Sequence, residues 1–353
     1  MVAMSGGVDS STAAFLLKEA GHEVVGVTLE IWPQDAPLPA GEVGCCSLRA
    51  VEDARKVANH IGIPHYVFNF RDVFESAVIE PFISSYLRGM TPNPCITCNI
   101  KIKFEALLKR ALSLGMEYLA TGHYARIQYQ PQAQRYWLLR GIDKTKDQSY
   151  VLYGFKQEQL AHVWLPLGSL SKKKTREIAE EAKLPVAQKK ESQEICFVTE
   201  GDYRKFLCRR AGDKIYPGPF IDAEGQIVGR HRGLAYYTIG QRRGLGLSLG
   251  YPAYVIDMRP DLNAVVVGPK ELLYRRSLIA CQNNFIALGK LESELKAEVQ
   301  IRYRSPAVPA LLEPQGQDRV KVTFEKPQRA ITPGQSVVYY RGDVVLGGGI
   351  IES

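Results

Sequence analysis

The chain has 353 residues, of which 45% are hydrophobic and 23% are charged. This composition indicates a folded protein of two or three domains and excludes a disordered chain. The net charge of +8 at pH 7 favours a polyanionic partner, although ordinary solvated lysines would give the same value.

Membrane and secretion signals are lacking in the sequence. No segment approaches the roughly 18 uninterrupted apolar residues of a membrane span. The N-terminal residues MVAMSGG lack the basic-then-apolar pattern of a secretion signal. We therefore expect a cytoplasmic protein without a membrane partner. Seven cysteines, an odd number in a long chain, argue against a disulfide framework and indicate reduced thiols.

Strand-like and helix-like segments alternate over the first 70 residues, and helical patterns continue to about residue 180. The sequence predicts strands at 2–4, 24–29 and 66–68, and helices at 11–20, 48–60, 102–113 and 172–182. This alternation is typical of a parallel sheet joined by right-handed crossovers.

The pattern changes after about residue 200, where glycine and proline separate short runs with the strand period. These runs lie at 253–256, 264–267, 298–303, 319–324 and 337–340. Short strands separated by turns indicate a small β-barrel or sandwich. The predicted fold class is α/β, with a Rossmann-like parallel-sheet domain over 1–200, a mostly-β connector over 201–275 and a C-terminal β-barrel over 276–353.

The clearest motif is SGGVDSS, residues 5–11, placed between the first strand and the first helix. At such a junction, backbone N–H groups and the helix dipole face an anion, and two glycines allow phosphate to approach closely. The loop has no GxxxxGK[ST] pattern and no lysine, which disfavours a P-loop kinase or GTPase. A helix cap without any ligand is the alternative interpretation.

This loop resembles that of the ATP pyrophosphatases, enzymes that cleave ATP between its α and β phosphates to adenylate a substrate. The resemblance implies ATP as a substrate and places Asp9 where it would help to hold Mg²⁺ on the pyrophosphate. It leaves the second substrate open, because enzymes that make GMP, NAD, argininosuccinate and thiolated tRNA share the loop.

A second motif is the CxxC pair of Cys95 and Cys98, which follows two prolines. We expect the prolines to hold this segment extended before a helix that begins near Ile102, whose N-terminus would stabilise a thiolate. Zinc, redox and iron–sulfur sites all use CxxC. A structural zinc site needs four ligands, and the adjacent Cys45 and Cys46 have an awkward spacing for it.

Cys196 is the third thiol that attracts attention, because it lies in a polar stretch beyond a basic helix. Its neighbours Ile195 and Phe197 are equally compatible with a buried, inert thiol. Cys208 and Cys281 have no surrounding signal, and we expect them to be structural.

Several separate stretches agree with one family, the bacterial tRNA-specific 2-thiouridylases. The agreeing stretches are 4–11, 45–47, 91–104, 121–125, 144–153, 191–197, 238–246, 302–306 and 333–335. The chain thus resembles a CxxC-type member of this sulfurtransferase family over almost its entire length. The resemblance implies that residues 1–200 form the ATP pyrophosphatase catalytic domain.

Carried over by position, the resemblance also implies two sets of binding residues. The implied ATP site comprises Ala3, Met4, Ser5, Gly6, Gly7, Val8, Asp9, Ser10, Leu29 and Gly122. The implied tRNA-binding positions are Asn93, Pro94, Cys95, His123, Lys146, Asp147, Gln148, Arg302, Tyr303 and Gln335. Cations suit phosphates, amides suit base edges, and rings suit stacking on a flipped-out base. Basic runs at 172–176, 189–190 and 242–243 could extend this surface or simply face solvent.

The reaction implied by the resemblance is the ATP-dependent 2-thiolation of the wobble uridine in tRNAs for Lys, Glu and Gln. The 2-oxygen of the uracil attacks the α-phosphorus of ATP and releases pyrophosphate, helped by Asp9 and Mg²⁺. Cys196 carries a persulfide delivered by a donor protein. Either this persulfide attacks C2, or Cys98 releases sulfide from it and closes a Cys98–Cys196 disulfide. AMP leaves last, and Cys98, Cys196 and Asp9 are the implied catalytic residues.

The sequence departs from the family pattern at one site position that matters. Many members have aspartate where this chain has Cys95, so the role of that carboxylate does not transfer to a thiol unchanged. Cys95, Cys98 and Cys196 could instead hold a [4Fe–4S] cluster, as in other thiolating relatives. Ala3, where relatives often have glycine, and Leu29, where methionine is common, are milder changes.

Three other functions stay open at this point. An adenylating amidotransferase, such as a GMP- or NAD-forming synthetase, would share the SGGVDS loop but need no cysteine pair. An RNA-binding or sulfur-carrier protein would keep a nucleotide pocket without turnover. An iron–sulfur electron carrier would hold a cluster but need no ATP.

Overall fold

A computed structural model describes residues 1–32, 48–190, 195–198, 201–316 and 318–353. Cys45, Cys46 and residues 191–194 therefore lie outside the described residues. The chain divides into two compact units, which we describe separately. The first unit comprises residues 1–79, 94–201 and 343–345, and the second comprises 80–93, 202–342 and 346–353.

The helices and strands follow in chain order. The α-helices are α1 (Val8–Glu19), α2 (Leu48–Ile61), α3 (Arg71–Phe74), α4 (Glu80–Leu87), α5 (Pro94–Thr97), α6 (Leu108–Ser113), α7 (Gln157–Leu160), α8 (Lys172–Glu181) and α9 (Tyr203–Ala211). Helical segments with wider, π-type turns are Glu75–Ile79 and Cys98–Leu107, and short 3₁₀ turns are Ser149–Leu152, Gly212–Lys214, Leu234–Tyr236, Pro260–Leu262 and Lys270–Leu273. The strands are β1 (Val2–Ala3), β2 (Gly26–Glu30), β3 (His65–Asn69), β4 (Leu119–Ala120), β5 (Ala125–Gln130), β6 (Arg135–Arg140), β7 (Val163–Trp164), β8 (Gly218–Ile221), β9 (Ile227–His231), β10 (Tyr254–Arg259), β11 (Ala264–Gly268), β12 (Tyr274–Phe285), β13 (Leu295–Gln300), β14 (Val308–Gln315), β15 (Arg319–Arg329), β16 (Ser336–Arg341) and β17 (Val344–Ile351).

The first unit is built on a parallel sheet of five strands in the order β3-β2-β1-β4-β7. Val2 of the central strand pairs with Gly26 on one side and with Ala120 on the other. A strand with neighbours on both sides and helices on both faces must be apolar, and Val2 is 1% exposed. The predicted α/β class with a parallel sheet is confirmed.

The order of the strands places the candidate site. After β1 the chain adds β2 and then β3 on one side of β1. Strands β4 and β7 lie on the other side of β1. In open α/β sheets, ligands bind beyond the carboxyl ends of the strands at such a switch point. The loop of residues 5–7 follows β1, and Gly122 follows β4, so both lie at this point of the sheet.

The first unit also contains an antiparallel hairpin that the sequence did not predict. Strands β5 and β6 pair from Ala125 opposite Arg140 to Gln130 opposite Arg135. The intervening turn includes Gln134 with a φ of 46°. Glycine and asparagine are the usual residues in this left-handed region, and glutamine rarely adopts it. The sequence therefore has no residue at position 134 that would mark the turn of the hairpin.

The second unit contains the two predicted β-rich regions. A four-stranded sheet in the order β10-β11-β8-β9 surrounds a core centred on Phe220 and Val265. Strands β12-β15-β14-β13-β16-β17 follow, and the pairing of β12 with β17 closes them into a six-stranded barrel. The expected small connector and C-terminal barrel are thus confirmed as fold classes. Among the residues that the structure describes, no helix is both long and apolar enough to cross a membrane.

We predict that Phe220→Ala destabilises the connector sheet. Phe220 is fully buried, and its ring contacts Tyr237 edge-on at 5.2 Å between centroids. Loss of a buried phenylalanine lowers the free energy of unfolding by about 3–5 kcal/mol. Loss of the partly exposed Tyr251 ring should change it by no more than about 0.5 kcal/mol. Native-state hydrogen exchange in β8–β11 measures the local effect without assuming one cooperative transition. Equal protection in Phe220→Ala and Tyr251→Ala would contradict the assignment of this core.

Candidate active site

The loop of residues 5–7 leads directly into the N-terminus of α1. Gly7 has an extended backbone conformation, and no side chain caps the helix there. Inside the loop, the Ser10 hydroxyl accepts from the Ser5 N–H at 3.1 Å and donates to the Gly7 carbonyl at 3.2 Å. Ser10 therefore shapes the loop, while the helix N-terminus presents backbone N–H groups and a positive dipole end suited to phosphate.

Two glycines let the loop fit between its neighbours. Gly6 has a φ of 64°, and a Cβ atom there would lie 2.4 Å from the carbonyl oxygen of Ala50 in α2. A Cβ atom on Gly122 would lie 2.7 Å from both the Asp9 carbonyl carbon and the Ser10 nitrogen. Only glycine permits these backbone approaches, so α2 and the turn after β4 fix the loop from two sides.

Asp9 lies in the first turn of α1 and is held by residues distant in sequence. The Lys172 ammonium at the start of α8 donates to Asp9 Oδ1 at 2.6 Å. The Tyr124 hydroxyl donates to the same oxygen at 2.8 Å and lies 3.0 Å from the Thr175 hydroxyl. Lys172 is 8% exposed. The basic run at 172–176 thus contributes one buried cation to the loop, whereas the sequence suggested an extension of the binding surface or a solvent-facing run.

Tyr124 also connects Asp9 to the segment of residues 146–148. The Tyr124 N–H donates to Gln148 Oε1 at 2.9 Å, and the Gln148 N–H donates to the Tyr124 carbonyl at 2.9 Å. Asp147 accepts from Arg140, from the Gly141 N–H and from the Ser149 N–H and hydroxyl at 2.9–3.0 Å. The Asp147 carboxylate therefore holds this segment in shape.

The CxxC pair lies inside a helix, which differs from the expected extended segment. Pro94 is the first residue of α5, and helical turns continue without a break through Cys98–Leu107 into α6. Proline is favoured at the first helical position because its φ is pre-set and no N–H is lost there. Cys95 is exposed and Cys98 half-buried. Spaced three residues apart on a helix, the two side chains share one face.

His123 lies next to the helix that carries Cys98. The ring of His123 lies 5.9 Å from that of Phe104, and its Nδ1 atom lies 2.7 Å from the Thr121 hydroxyl. Burial, together with the positive charge of Lys103, holds the pKa of His123 well below its usual value. The imidazole is therefore neutral at physiological pH and can act through hydrogen bonds or stacking.

Cys196 lies in the short described segment 195–198. Its neighbour Phe197 is 4% exposed and contacts Phe74 of α3 edge-on at 5.7 Å. The segment of α3 and Glu75–Ile79 in turn packs against the helical turns that begin at Cys98. Cys196 itself is half-buried, and both Cys98 and Cys196 carry thiols rather than a disulfide bond.

The remaining ATP-site positions of the resemblance also lie in the first unit. Met4 and Leu29 are buried, and Ala3 and Val8 flank the loop in β1 and α1. The Met4 N–H donates to the Val27 carbonyl at 2.7 Å. This bond ties the entrance of the loop to β2, the strand that carries Leu29.

Four tRNA-binding positions of the resemblance lie in the second unit. Gln335 donates through Nε2 to the Thr91 carbonyl at 2.7 Å, two residues before the half-buried Asn93. Arg302 donates to the Ala330 carbonyl and to the Thr332 hydroxyl. Tyr303 is 37% exposed. Pro94, Cys95, His123 and residues 146–148 lie in the first unit.

Domain-family comparisons cover nearly the whole chain. A tRNA methyl transferase HUP domain matches residues 1–200, a tRNA methyl transferase PRC-barrel domain matches 204–269, and an aminomethyltransferase β-barrel domain matches 275–351. Full-length relatives agree more closely still. The chain is 61% identical over 353 residues to a protein of Moorella thermoacetica named tRNA-specific 2-thiouridylase MnmA, covering all of this chain and 99% of that protein.

The chain belongs to the tRNA-specific 2-thiouridylase family. A second relative of the same name, from Carboxydothermus hydrogenoformans, is 56% identical over all of this chain and 97% of its own length. Among solved structures, the U34-tRNA thiolase NcsA from Methanococcus maripaludis with its [4Fe–4S] cluster is 16% identical, covers 60% of this chain and 66% of that one, and has a TM-score of 0.36. A likeness at that level supports no conclusion about this thiouridylase-family chain.

Within the described ranges, no group of three or more His, Cys, Asp or Glu side chains is arranged to hold a metal ion. Lys172 and Tyr124 are site residues that the sequence did not single out. Lys172 lies in a basic run and Tyr124 in a stretch that agrees with the family, but neither signal indicates a contact with Asp9, which lies more than 100 residues away in sequence.

We predict that Gly122→Ala weakens binding of ATP to the loop. The new methyl group would press on the backbone of Asp9 and Ser10. Overpacking of this kind costs about 1–3 kcal/mol, which corresponds to about a 5- to 150-fold rise in Kd if the loop bears the cost. Isothermal titration with an ATP analogue measures the change. Gly212→Ala is the matched control, because a Cβ there meets only Cys208 Sγ at 3.6 Å; equal affinities would contradict the prediction.

Proposed function

We propose that this chain replaces the 2-oxygen of a uridine in tRNA with sulfur, using ATP to activate the oxygen. The target is the wobble uridine of tRNAs for Lys, Glu and Gln, and the reaction takes place in the cytoplasm. The observation that carries the proposal is the 61% identity to a protein named tRNA-specific 2-thiouridylase along the full chain. The loop at the switch point of the sheet and the two thiols in the same unit supply the chemistry that the reaction needs.

The first step activates the base. A uracil 2-oxygen is a poor leaving group, so it attacks the α-phosphorus of ATP and displaces pyrophosphate. The loop N–H groups and the N-terminus of α1 stabilise the charge that moves onto pyrophosphate. Asp9 fits a Mg²⁺ ion, because Mg²⁺ in such sites is held by one or two carboxylates together with phosphates. Lys172 and Tyr124 orient that carboxylate.

The second step delivers sulfur. A donor protein leaves a persulfide on Cys196. The Cys98 thiolate attacks the Cys196 sulfur, which forms a Cys98–Cys196 disulfide and releases hydrosulfide, and hydrosulfide displaces AMP from C2. Alternatively, the outer persulfide sulfur attacks C2 and displaces AMP, which leaves the base joined to Cys196 through that sulfur. The Cys98 thiolate then attacks the Cys196 sulfur, forms the disulfide and frees the thiolated base. Both routes oxidise the two thiols to a disulfide, so an external dithiol must reduce them before the next turnover.

The packing of the Cys196 segment supports this pairing of thiols. Phe197 fixes the chain beside Phe74, and the Phe74 helix lies against the helix of Cys98. Cys98 lies one helical turn after Pro94, where the helix begins, and the positive end of the helix dipole favours an ionised sulfur there. Sulfur transfer requires the two sulfur atoms to come into contact, and both cysteines lie in the first unit.

A [4Fe–4S] cluster on Cys95, Cys98 and Cys196 does not fit this arrangement. Cys95 faces solvent, and the three thiols do not form a ligand group among the described residues. The proposed sulfur route therefore uses no iron. Cys95 then occupies a position beside the target base, where its exposed side chain can contact the uracil. An iron assay with a visible spectrum on anaerobically purified protein distinguishes the route without iron from one that uses a [4Fe–4S] cluster. Bound iron with a cluster spectrum would contradict the route without iron.

The central test replaces Cys196 with serine. We expect Cys196→Ser to abolish thiolation of tRNA while pyrophosphate release with ATP and tRNA continues, because adenylation does not need the thiol. Asp9→Ala should instead stop pyrophosphate release itself. Thiolated nucleoside and pyrophosphate are measured in the same reactions, with Cys208→Ser as the matched control, since Cys208 lies in the second unit. Full thiolation by Cys196→Ser would refute the persulfide role, and no tRNA-dependent turnover in the wild type would indicate a binding protein.

A separate prediction concerns the tRNA contacts at Lys146 and His123. A lysine that contacts a phosphate releases counterions. The negative slope of log affinity against log salt should therefore become less steep by about 0.7–0.9 in Lys146→Met. His123→Asn should leave the slope unchanged, because the imidazole is neutral. Filter binding over a salt series measures both. Lys144→Met, an exposed lysine two residues away, is the control; an equal fall in slope for both lysine variants would contradict a specific contact at position 146.

A further inference from the structure

Lys189 contacts the loop of residues 5–7 from a distant part of the chain. Its ammonium donates to the carbonyl oxygen of Gly6 at 2.9 Å and to Asp53 Oδ2 of α2 at 2.6 Å. The side chains of Lys189 and Asp53 are only 28% and 17% exposed. The ammonium is therefore largely withdrawn from water and held between a carbonyl oxygen and a carboxylate.

The backbone that carries Lys189 is anchored to the first unit. The Lys189 N–H donates to the Val186 carbonyl at 2.9 Å, and Val186 is buried in the core of this unit. Arg176 of α8 donates to the Ala187 carbonyl at 3.3 Å. Because these bonds fix the chain just before Lys189, its ammonium can hold the loop rather than follow it.

The bond from Lys189 acts on a peptide with a glycine on each side. Rotation of a peptide plane meets little steric resistance where the flanking residues have no Cβ atoms. Gly6 has a φ of 64°, a conformation that other residues rarely adopt. The orientation of the Gly6–Gly7 peptide therefore depends on hydrogen bonds, and Lys189 supplies the one to its carbonyl oxygen.

The same peptide has a hydrogen-bond donor on its other side. A trans peptide is planar, and its C=O and N–H groups point in opposite directions. Because Lys189 holds the Gly6 carbonyl, the Gly7 N–H points away from the pair of Lys189 and Asp53. No described residue accepts a hydrogen bond from the Gly7 N–H. Gly7 immediately precedes α1, so this donor adjoins the positive end of the helix dipole.

We propose that Lys189 is a positioning residue that keeps the Gly7 N–H directed at the β and γ phosphates of ATP. By holding the Gly6 carbonyl, the ammonium prevents the peptide from turning its N–H away. A phosphate that accepts from Gly7 polarises the peptide and strengthens the bond from Lys189, since hydrogen bonds through one peptide reinforce each other. Asp53 fixes the ammonium. The inference rests on the proposed function only for ATP as the ligand and for its pyrophosphate part as the group at the loop.

The test compares two nucleotides that differ in the phosphates they offer to the loop. α,β-Methylene-ATP with Mg²⁺ has β and γ phosphates and cannot be cleaved between the α and β phosphates, whereas AMP lacks both groups. Isothermal titration of the full chain measures each Kd. In Lys189→Met we expect the Kd of the ATP analogue to rise about tenfold, as for loss of a hydrogen bond to a charged group. The Kd of AMP should change less than about twofold, because AMP does not use the Gly7 N–H.

Two further variants show whether the effect belongs to the hydrogen bond from position 189. Lys189→Arg should recover part of the affinity for the ATP analogue, because a guanidinium can donate to the same carbonyl. Lys190→Met is the matched control, since Lys190 is the adjacent, exposed lysine and its loss changes the net charge equally. Both of its Kd values should equal those of the wild type, and a loss as large as that of Lys189→Met would overturn the proposal.

Asp53→Ala separates positioning from a simple effect of charge, and it takes the place of Lys189→Met if that variant does not fold. If Asp53 fixes the ammonium, its loss should raise the Kd of the ATP analogue about threefold or more. If Lys189 acted only as a nearby positive charge, removal of the carboxylate would instead lower that Kd.

Three results would overturn the proposal: an unchanged or lower Kd of the ATP analogue in Asp53→Ala, an unchanged Kd in Lys189→Met, or an equal rise for AMP and the analogue. The expected pattern of Kd values in a protein that does not thiolate tRNA would support this inference and refute only the proposed function.

Discussion

The close approach of backbone to backbone around the loop of residues 5–7 is the constraint on which the site depends. Gly6 lies against the Ala50 carbonyl, and Gly122 lies against the backbone of Asp9 and Ser10. These contacts leave no room for side chains, so the loop is held by main-chain shape. A site prepared in this way need not reorganise when charge develops on a phosphate, which is the principal source of electrostatic catalysis.

The positive charges placed around this loop come from outside the motif that defines it. Lys172 reaches Asp9 from α8, and Lys189 reaches Gly6 from the chain beyond α8. The loop therefore has two lysine neighbours, although none occurs within its sequence. Partly buried ion pairs of this type add little net stability, because desolvation offsets much of the attraction. Their structural role is to fix the orientation of the Asp9 carboxylate and of the Gly6–Gly7 peptide.

The sequence predicted those features that repeat along the chain and missed those that depend on distant contacts. Alternating apolar segments were sufficient for the parallel sheet and the barrel, because period and turn residues are local properties. The hairpin of β5 and β6 went unnoticed because its turn uses Gln134 in a conformation that favours glycine. The helix that carries the CxxC pair begins at Pro94, earlier than the sequence predicts, because proline suits both an extended segment and the first position of a helix. Motif and resemblance indicated Asp9, whereas only the fold brings Tyr124 to it.

Tyr124 uses different atoms for its two sets of contacts. Its backbone forms the pair of hydrogen bonds with Gln148, and its ring hydroxyl reaches Asp9. Any amino acid except proline could keep the backbone pair at position 124, but only a tyrosine-sized donor can reach the carboxylate. A change from tyrosine to phenylalanine would thus alter the nucleotide loop and leave the segment of residues 146–148 in place. The loop of residues 5–7 and the segment of residues 146–148 can therefore be adjusted independently at a single residue.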